Sequence, residues 1–303
     1  MTRLPLNPAL LAAAIAQLRD HPDYRLLERL PAPFSDLPDR LPEGARRIAI
    51  LDVETTGLDA DSDVIIELAI MHIAVDKKGS VIGHSKPQSW LQDPGRPISK
   101  EVSQLTGLTD ADLAGQALDG KAIMALLSRC DLVVAHNAGF DIGFLDRRFP
   151  ELRTIPWACS LAEIAWCAAG YPCCKLEHLV MEHGGLFTSH RAEADVWATF
   201  QLLRQQIRAR GEPEPAYDTG RGTYFHLLLC SSDAGAVRMR ANGLPYERKD
   251  WAKARGYRWD PMKRVWWRDV PMAAYANEKM AFIDAGLPEP SGTQVNAVNR
   301  YRL

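Results

Sequence analysis

The chain has 303 residues, of which 47% are hydrophobic and 24% charged, with a formal net charge of −2. Such a length allows about two domains with a sizeable core. The near-neutral charge excludes a polycationic coat over the whole molecule, and no apolar run reaches the roughly 20 residues of a membrane span. The expected address is cytoplasmic, where six cysteines without a Cys-x-x-Cys pattern read as reduced, mostly buried thiols. Cys173-Cys174 followed by His178 and His183 is loosely zinc-like, yet the vicinal pair and the long gaps fit no usual finger.

The chain opens with Arg3 and an apolar stretch from Leu10 to Ala16, superficially like a short signal peptide. Asn7-Pro8 instead reads as a helix N-cap and first helical residue, and the pattern continues through Leu18 to Leu26, Leu27 and Leu30 as an amphipathic helix. Arg46 to Leu51 then turns from basic to apolar, the profile of a strand buried on both faces. Side chains alternate along a strand, so Asp52 and Glu54 point the same way, just before the break at Thr55-Thr56-Gly57. A solvated strand end would explain the pair alone. The apolar run before it argues otherwise, because a central strand rarely aims two acids one way without a counter-ion.

Asp131 to Asn137 reads as a second buried strand, and Gly139 to Leu145 as a helix start with Phe140, Phe144 and Leu145 on one face. Asp141 falls in its first turn, where the helix dipole alone would favour an acid. His136 reads equally well as a hydrogen-bonded residue at a strand end. A long helix follows from about Ala192 to Arg208, with Val196, Phe200, Leu203 and Ile207 as its stripe. Asp195 borders that stripe, and His190 precedes it in a loop, where a base can reach a bound water.

Gly211 to Gly222 reads as a linker, and Tyr224 to Leu229 as a strand opening a small α/β unit. From Ala236 to Arg268 there are ten Lys or Arg against three Asp or Glu, a balance of +7 that leaves −9 for the rest of the chain. Tyr246, Trp251, Tyr257, Trp259, Trp266 and Trp267 are interleaved, a composition suited to single-stranded nucleic acid. Simple core packing or protein docking is the other account, since so small a unit needs large side chains to form a core. Trp259 and Trp266 read as structural, while Trp251, Lys253, Arg255, Tyr257 and Arg258 are the candidate nucleic-acid contacts. The phrase from Leu244 to Trp266 resembles a small module of some mobile-element primase-like proteins, which fixes no function. Residues after Pro288 read as a flexible tail.

Four phrases stand in a shared order: Asp52-Val53-Glu54-Thr55-Thr56-Gly57-Leu58, Leu105-Thr106-Gly107-Leu108-Thr109-Asp110, His136-Asn137-Ala138-Gly139-Phe140-Asp141, and His190-Arg191-Ala192-Glu193-Ala194-Asp195. Over roughly residues 46–208 the chain resembles the DEDDh 3′→5′ exonucleases, the family of the proofreading epsilon subunit of bacterial replicative polymerase. The histidine five residues before the last Asp marks the histidine subclass; the tyrosine of the sister subclass would stand where Arg191 is. Cys159-Ser160-Leu161 departs from the Asp-Thr-Leu of many relatives, and the segment from Cys167 to Leu186 is unusually rich in Cys and His.

The resemblance implies an α/β fold of RNase H-like type, a mixed sheet flanked by helices, with a small C-terminal α/β unit. The expected division is a helical extension (1–45), an exonuclease domain (46–210), a linker (211–222), a basic Trp-rich unit (223–288) and a tail (289–303). It also implies two divalent ions, Mg²⁺ or Mn²⁺. Asp52, Glu54 and Asp195 would hold the nucleophile-side ion, Asp52 would bridge to the second, and Asp141 would support that one, partly through water. His190 would deprotonate the attacking water. Thr55 and Thr56 would meet the terminal nucleotide and Leu58 its base, with His136, Asn137 and Phe140 completing the substrate set. The expected activity is hydrolysis of DNA from its 3′ end, single strands foremost, releasing nucleoside monophosphates in repair or defence. An exoribonuclease is the alternative, because the same site serves either sugar. A silent nucleic-acid-binding protein is disfavoured by the presence of all four acids. The sequence names no protein partner and implies no membrane association.

Overall fold

The computed structural model describes residues 7–19, 21–207 and 222–302. Helix α1 (Pro8–Arg19) begins at Asn7, whose side chain accepts the Ala9 N–H at 2.9 Å, and none of its 12 residues is buried. The helix expected through Leu30 thus ends at Arg19. Pro22 explains the stop, since it lacks an N–H and biases the residue before it away from helix. The chain then extends into β1 (Glu28–Arg29).

Among the described residues six strands form one sheet: β2 (Arg46–Thr55), β3 (Ile65–Val75), β4 (Val81–His84), β5 (Gln88–Leu91), β6 (Leu132–Ala135) and β7 (Trp157–Cys159). The order is β4-β3-β2-β6-β7, with β5 also on β3. Strand β2 lies antiparallel to β3 and parallel to β6, so the sheet is mixed. Helices α2 (Lys100–Thr106), α3 (Asp110–Leu113) and α4 (Gly120–Leu127) precede β6, and α5 (Ala138–Arg148) follows it. After β7 come α6 (Leu176–Glu182), β8 (Gly185–Leu186), which pairs with β1, and α7 (Ala192–Leu203). Helix α7 ends at Leu203 instead of Arg208, although Ile207 still reaches the core.

Two cores sandwich the sheet, and β2 feeds both by alternation. Ile48 and Ile50 pack with α6 and α7 on one side, while Ala49, Leu51 and Val53 pack with α4 and α5 on the other. Period two therefore carries Asp52 and Glu54 to the α7 side.

The segment Tyr224–Leu229 is not a strand. It begins helix α8 (Tyr224–Asp233), which places Tyr224, Phe225, Leu228 and Leu229 in the core shared with α7. Five apolar residues in a run of six, interrupted by His226, cannot by themselves distinguish the two states. The Tyr224 hydroxyl also meets that of Tyr171 at 3.0 Å. These residues complete the first half of the molecule instead of opening the second. The expected linker lies outside the described residues, Gly222 excepted.

The C-terminal unit is an antiparallel sheet of β9 (Ala236–Ala241), β10 (Arg258–Asp260), β11 (Val265–Pro271) and β12 (Ser291–Val295), in the order β10-β11-β9-β12. Helices α9 (Lys249–Ala254) and α10 (Tyr275–Asp284) supply Ala252 and Phe282 to its core beside Val237, Met239 and Val270. The supposed tail after Pro288 is ordered, because β12 closes the open edge of β9. Beyond it the Ala297 carbonyl accepts the Trp157 N–H at 2.7 Å, Arg300 pairs with Glu163, and Arg302 grips Asp146 of α5 at 2.6 and 2.9 Å.

The placement of α8 is testable. Phe225 is fully buried, so Phe225→Ala should cost about 3–5 kcal/mol in urea denaturation. A cost well below 1 kcal/mol would show that this helix is not part of the core.

Candidate active site

Strand β6 pairs with β2 only from Ile48 to Ile50 and turns at Ala135 into α5, so β2 overruns it. The N–H of Val53 on the overrun is taken by the Asp141 carboxylate at 3.2 Å. Asn137 makes the turn in a left-handed conformation, φ 93°, which asparagine tolerates better than most residues. Asp141 is thereby tied, almost fully buried, to the strand segment that carries Asp52 and Glu54.

Asp195 arrives from the first turn of α7 and reaches back to accept the Arg191 N–H at 3.0 Å. One oxygen from each of Asp52, Glu54 and Asp195 lies within 4.8 Å of the others. These residues and Asp141 line a cavity of about 720 Å³, together with Thr55, Leu58, Leu105, His136, Asn137, Phe140, Lys175 and His190. His190 is exposed on the cavity side and adopts φ 63°, so it too sits on left-handed backbone just before the helix.

Burial and mutual repulsion make these carboxyls hard to ionise. Burial first, then Asp141, Asp195, Glu54 and Glu67, pushes Asp52 well above the usual carboxylate range. Glu54 is pushed up to about 8, by burial and then by Asp195 and Glu67, with Arg191 opposing. Asp141 is raised to about 8 by burial, although its own N–H and that of Val53 favour the anion. Asp195 rises to about 7 by burial, moderated by the N–H groups of Arg191 and His190.

The donor set suits hard divalent cations: oxygen ligands alone, from several carboxylates with little countercharge. A cation about 2.0–2.6 Å from each ligand can join oxygens up to about 4–5 Å apart, and the trio lies within that reach. Asp52, Glu54 and Asp195 would hold one ion, with Asp141 available toward a second.

The sequence-derived substrate residues divide. Thr55, Leu58, Asn137 and Phe140 line the cavity, and Leu58 is 87% exposed. The Thr56 hydroxyl does not face it; that oxygen donates to Asp63 at 2.9 Å and accepts the Val64 N–H at 3.1 Å, bracing the turn. His136 borders the cavity with both ring nitrogens engaged, Nε2 to the Cys174 carbonyl at 2.9 Å and Nδ1 to the Ser160 hydroxyl at 2.8 Å. A carbonyl only accepts, so Nε2 carries the proton and Ser160 donates to Nδ1. Burial lowers this histidine to about 4, so it stays neutral and holds the loop that presents Lys175. Ser160, at the family departure, thus serves this link. His183, part of the loose zinc-like pattern, bonds the Leu179 carbonyl at 2.8 Å and stacks on Tyr171.

Glu67 was not singled out from sequence. It lies opposite Glu54 across the β2–β3 ladder, fully buried, and receives Nε and an Nη of Arg191 at 2.9 and 3.1 Å and the Ala192 N–H at 3.2 Å. It therefore fastens the start of α7, and with it His190 and Asp195, to the central sheet. The only sequence signal was an acid inside the long apolar strand Ile65–Val75. Leu105, 53% exposed on the cavity wall, was also passed over within its Leu-Thr-Gly phrase.

The C-terminal candidates fare differently. Tyr257 is 3% exposed and packs edge-on against Phe282, so it is core and unavailable for stacking. Trp251 is half-buried against the same ring. Arg255 is committed to Glu278 at 2.7 Å, whereas Lys253 and Arg258 are exposed. Trp259, read from sequence as structural, is 48% exposed.

Comparison with known proteins places this site in context. The family model RNase_T, described as an exonuclease, matches residues 49–203. The DNA polymerase III PolC-type of Bacillus subtilis (strain 168) is 39% identical over 106 residues, covering 34% of this chain and 7% of the polymerase. That of Streptococcus mutans is 29% identical over 191 residues, covering 58% and 12%. The chain thus spans a small fraction of the length of these relatives. Among solved structures, exonuclease X in complex with 5′ overhanging duplex DNA aligns at 27% identity with a TM-score of 0.38, covering 50% of this chain and 86% of that one.

The raised carboxyls have a consequence for stability. Groups whose folded pKa exceeds the unfolded value hold extra protons in the folded chain, so their contribution is complete below about pH 4. It is lost as the pH rises through the folded values of about 7 and 8. The metal-free protein should therefore lose melting temperature from pH 4 to 8, and Mg²⁺ or Mn²⁺ should restore more of it at pH 8 than at pH 6. A metal-induced gain that is equal at both pH values, or absent, would contradict the site.

Proposed function

The chain belongs to the RNase_T family of exonucleases, and on that premise we propose that it removes nucleotides from the 3′ end of DNA, single strands foremost, with two divalent cations. The observation that carries this reading is the convergence of Asp52, Glu54 and Asp195 oxygens within 4.8 Å, beside Asp141 and in a cavity shared with His190. Bound Mg²⁺ or Mn²⁺ would neutralise the carboxylates and stabilise the charge that develops on the reacting phosphate.

The protein's own groups do the rest. His190, on the exposed side of the cavity, accepts a proton from the attacking water. Water oxygen bonds to phosphorus as the bond from phosphorus to the upstream 3′ oxygen breaks; that oxygen takes a proton from solvent, leaving a 3′ hydroxyl and a nucleoside 5′-monophosphate. Leu58, Leu105 and Phe140 offer apolar surface to the terminal base, while Thr55 shapes the strand end by donating its hydroxyl to the Gly57 carbonyl. Arg191 and Glu67 keep His190 and Asp195 in register with β2. The choice of DNA draws support from the polymerase relatives, which share sequence with this part of the chain.

The test compares end-labelled single-stranded DNA, mismatched duplex DNA and single-stranded RNA in Mg²⁺ and Mn²⁺. Mononucleotides should accumulate fastest from single-stranded DNA. Asp52→Ala should abolish cleavage, and His190→Ala should slow it by about 10²–10⁴-fold while the rise in melting temperature on metal addition survives. Full activity after exhaustive chelation would overturn the metal reading. Faster cleavage of RNA would overturn the choice of DNA, and wild-type rates for His190→Ala from pH 6 to 8 would remove the base.

A further inference from the structure

The cavity leaves a problem of charge. Its lining includes the carboxylates of Asp52, Glu54, Glu101, Asp141, Glu177 and Asp195, and its only lysine or arginine among the described residues is Lys175. Even with cations bound at the reacting phosphate, this lining offers little to neutralise the phosphates farther along a strand, where a large share of nucleic-acid affinity resides.

The hairpin of β10 and β11 offers what the cavity lacks. Arg258, Lys263 and Arg264 are exposed on it, and none has a carboxylate partner among the described residues. Arg258 lies over the Trp267 ring at 5.4 Å. Asp260, the acid of the hairpin tip, is occupied in accepting the N–H groups of Met262 and Lys263 at 3.0 and 2.9 Å. Trp259 stands opposite Trp266 across the ladder, ring centroids 5.6 Å apart, and keeps 48% of its surface exposed. Met262 at the tip is 91% exposed. Charges on an edge strand guard against sheet-to-sheet pairing, and that would explain the cations alone. It does not explain an open indole and an open thioether among them.

We propose that this hairpin is a binding platform for single-stranded DNA, with a base stacking on Trp259 while Arg258, Lys263 and Arg264 meet phosphates. The complementarity of three unpaired cations and an exposed indole favours this occupant over a protein surface. The sheet bearing the hairpin is fastened to the nuclease half, since the segment after β12 binds Glu163 through Arg300 and Tyr301 and Asp146 through Arg302. A strand held on the hairpin is thus held by a unit joined to the half that carries the cavity. The proposal rests on the nuclease reading only for the identity of the strand.

The test uses the full chain with a chelator to prevent hydrolysis, and a labelled oligothymidylate of about 20 nucleotides, longer than the usual single-strand site. Trp259→Ala should weaken binding about five- to a hundredfold. The triple change Arg258→Gln, Lys263→Gln and Arg264→Gln keeps the indole pair and should flatten the salt dependence by about 0.7 in log–log slope per lost phosphate contact. Hydrolysis of a dinucleotide in Mg²⁺ should match wild type in both variants. Unchanged affinity and slope in both would overturn the platform and leave the hairpin to a protein partner. Wild-type protein that cleaves the dinucleotide yet fails to bind the long strand would overturn it too, with the nuclease intact. A dinucleotide left uncleaved by wild type would count against the nuclease reading instead.

Discussion

Four carboxyls crowd the end of one buried strand, and much of the molecule is arranged around that repulsion. Two unit charges 4 Å apart repel by about 4 kcal/mol at an effective dielectric of 20, so several ionised neighbours would strain a domain whose whole stability is of order 5–15 kcal/mol. Protons relieve the strain in the absence of a better counter-charge: burial and acidic neighbours hold Asp52 and Glu54 far above their ordinary range, and burial alone does so for Asp141. The Arg191 guanidinium comes close enough to oppose the shift at Glu54, and it is spent on Glu67. What remains is a cluster of oxygens whose repulsion a divalent cation removes.

Sheet topology is what gathers those oxygens. Strand β2 lies between antiparallel β3 and the shorter, parallel β6, so its last residues run on where β6 has already turned into α5. The overrun leaves backbone donors facing an empty edge, and the Asp141 carboxylate meets one of them. On the other side Glu67 ties α7 to β3, so the helix that delivers Asp195 is registered against the strand that delivers Asp52. Helix α8 then seals the α7 side with Phe225 and Leu228, beyond the matched residues 49–203.

Polar groups fasten the second half to the first. Glu163 accepts from Arg300, Tyr301 and Ser231, and also from the backbone N–H of Cys159 at 2.8 Å. Burying one carboxylate under so many donors is favourable only if all stay in place, which makes residues 296–302 a structural clasp. The acids gather at the cavity while the basic surplus lies in the C-terminal unit, so the two halves differ in charge as well as in architecture.

Much of the candidate site's arrangement was legible because its signals are local. Alternation along Arg46–Thr55 puts Asp52 and Glu54 on one face wherever the strand lies, and helical position puts Asp141 and Asp195 in first turns. The mixed sheet was implied by the family resemblance that the motifs carry. Glu67 escaped because its meaning depends on the register between two strands. That the Thr56 hydroxyl braces a turn closing at Asp63 was equally hidden from the motif. The run Tyr224–Leu229 suited strand or helix, and only a vacancy beside α7 decided for helix. In the C-terminal unit the sequence determined that aromatics and cations are interleaved. Which aromatics are core was settled by ladder register and by Phe282 of α10, which bury Tyr257 and leave Trp259 open. Residue type and local period are properties of the chain, but burial belongs to the surfaces that distant segments bring against it.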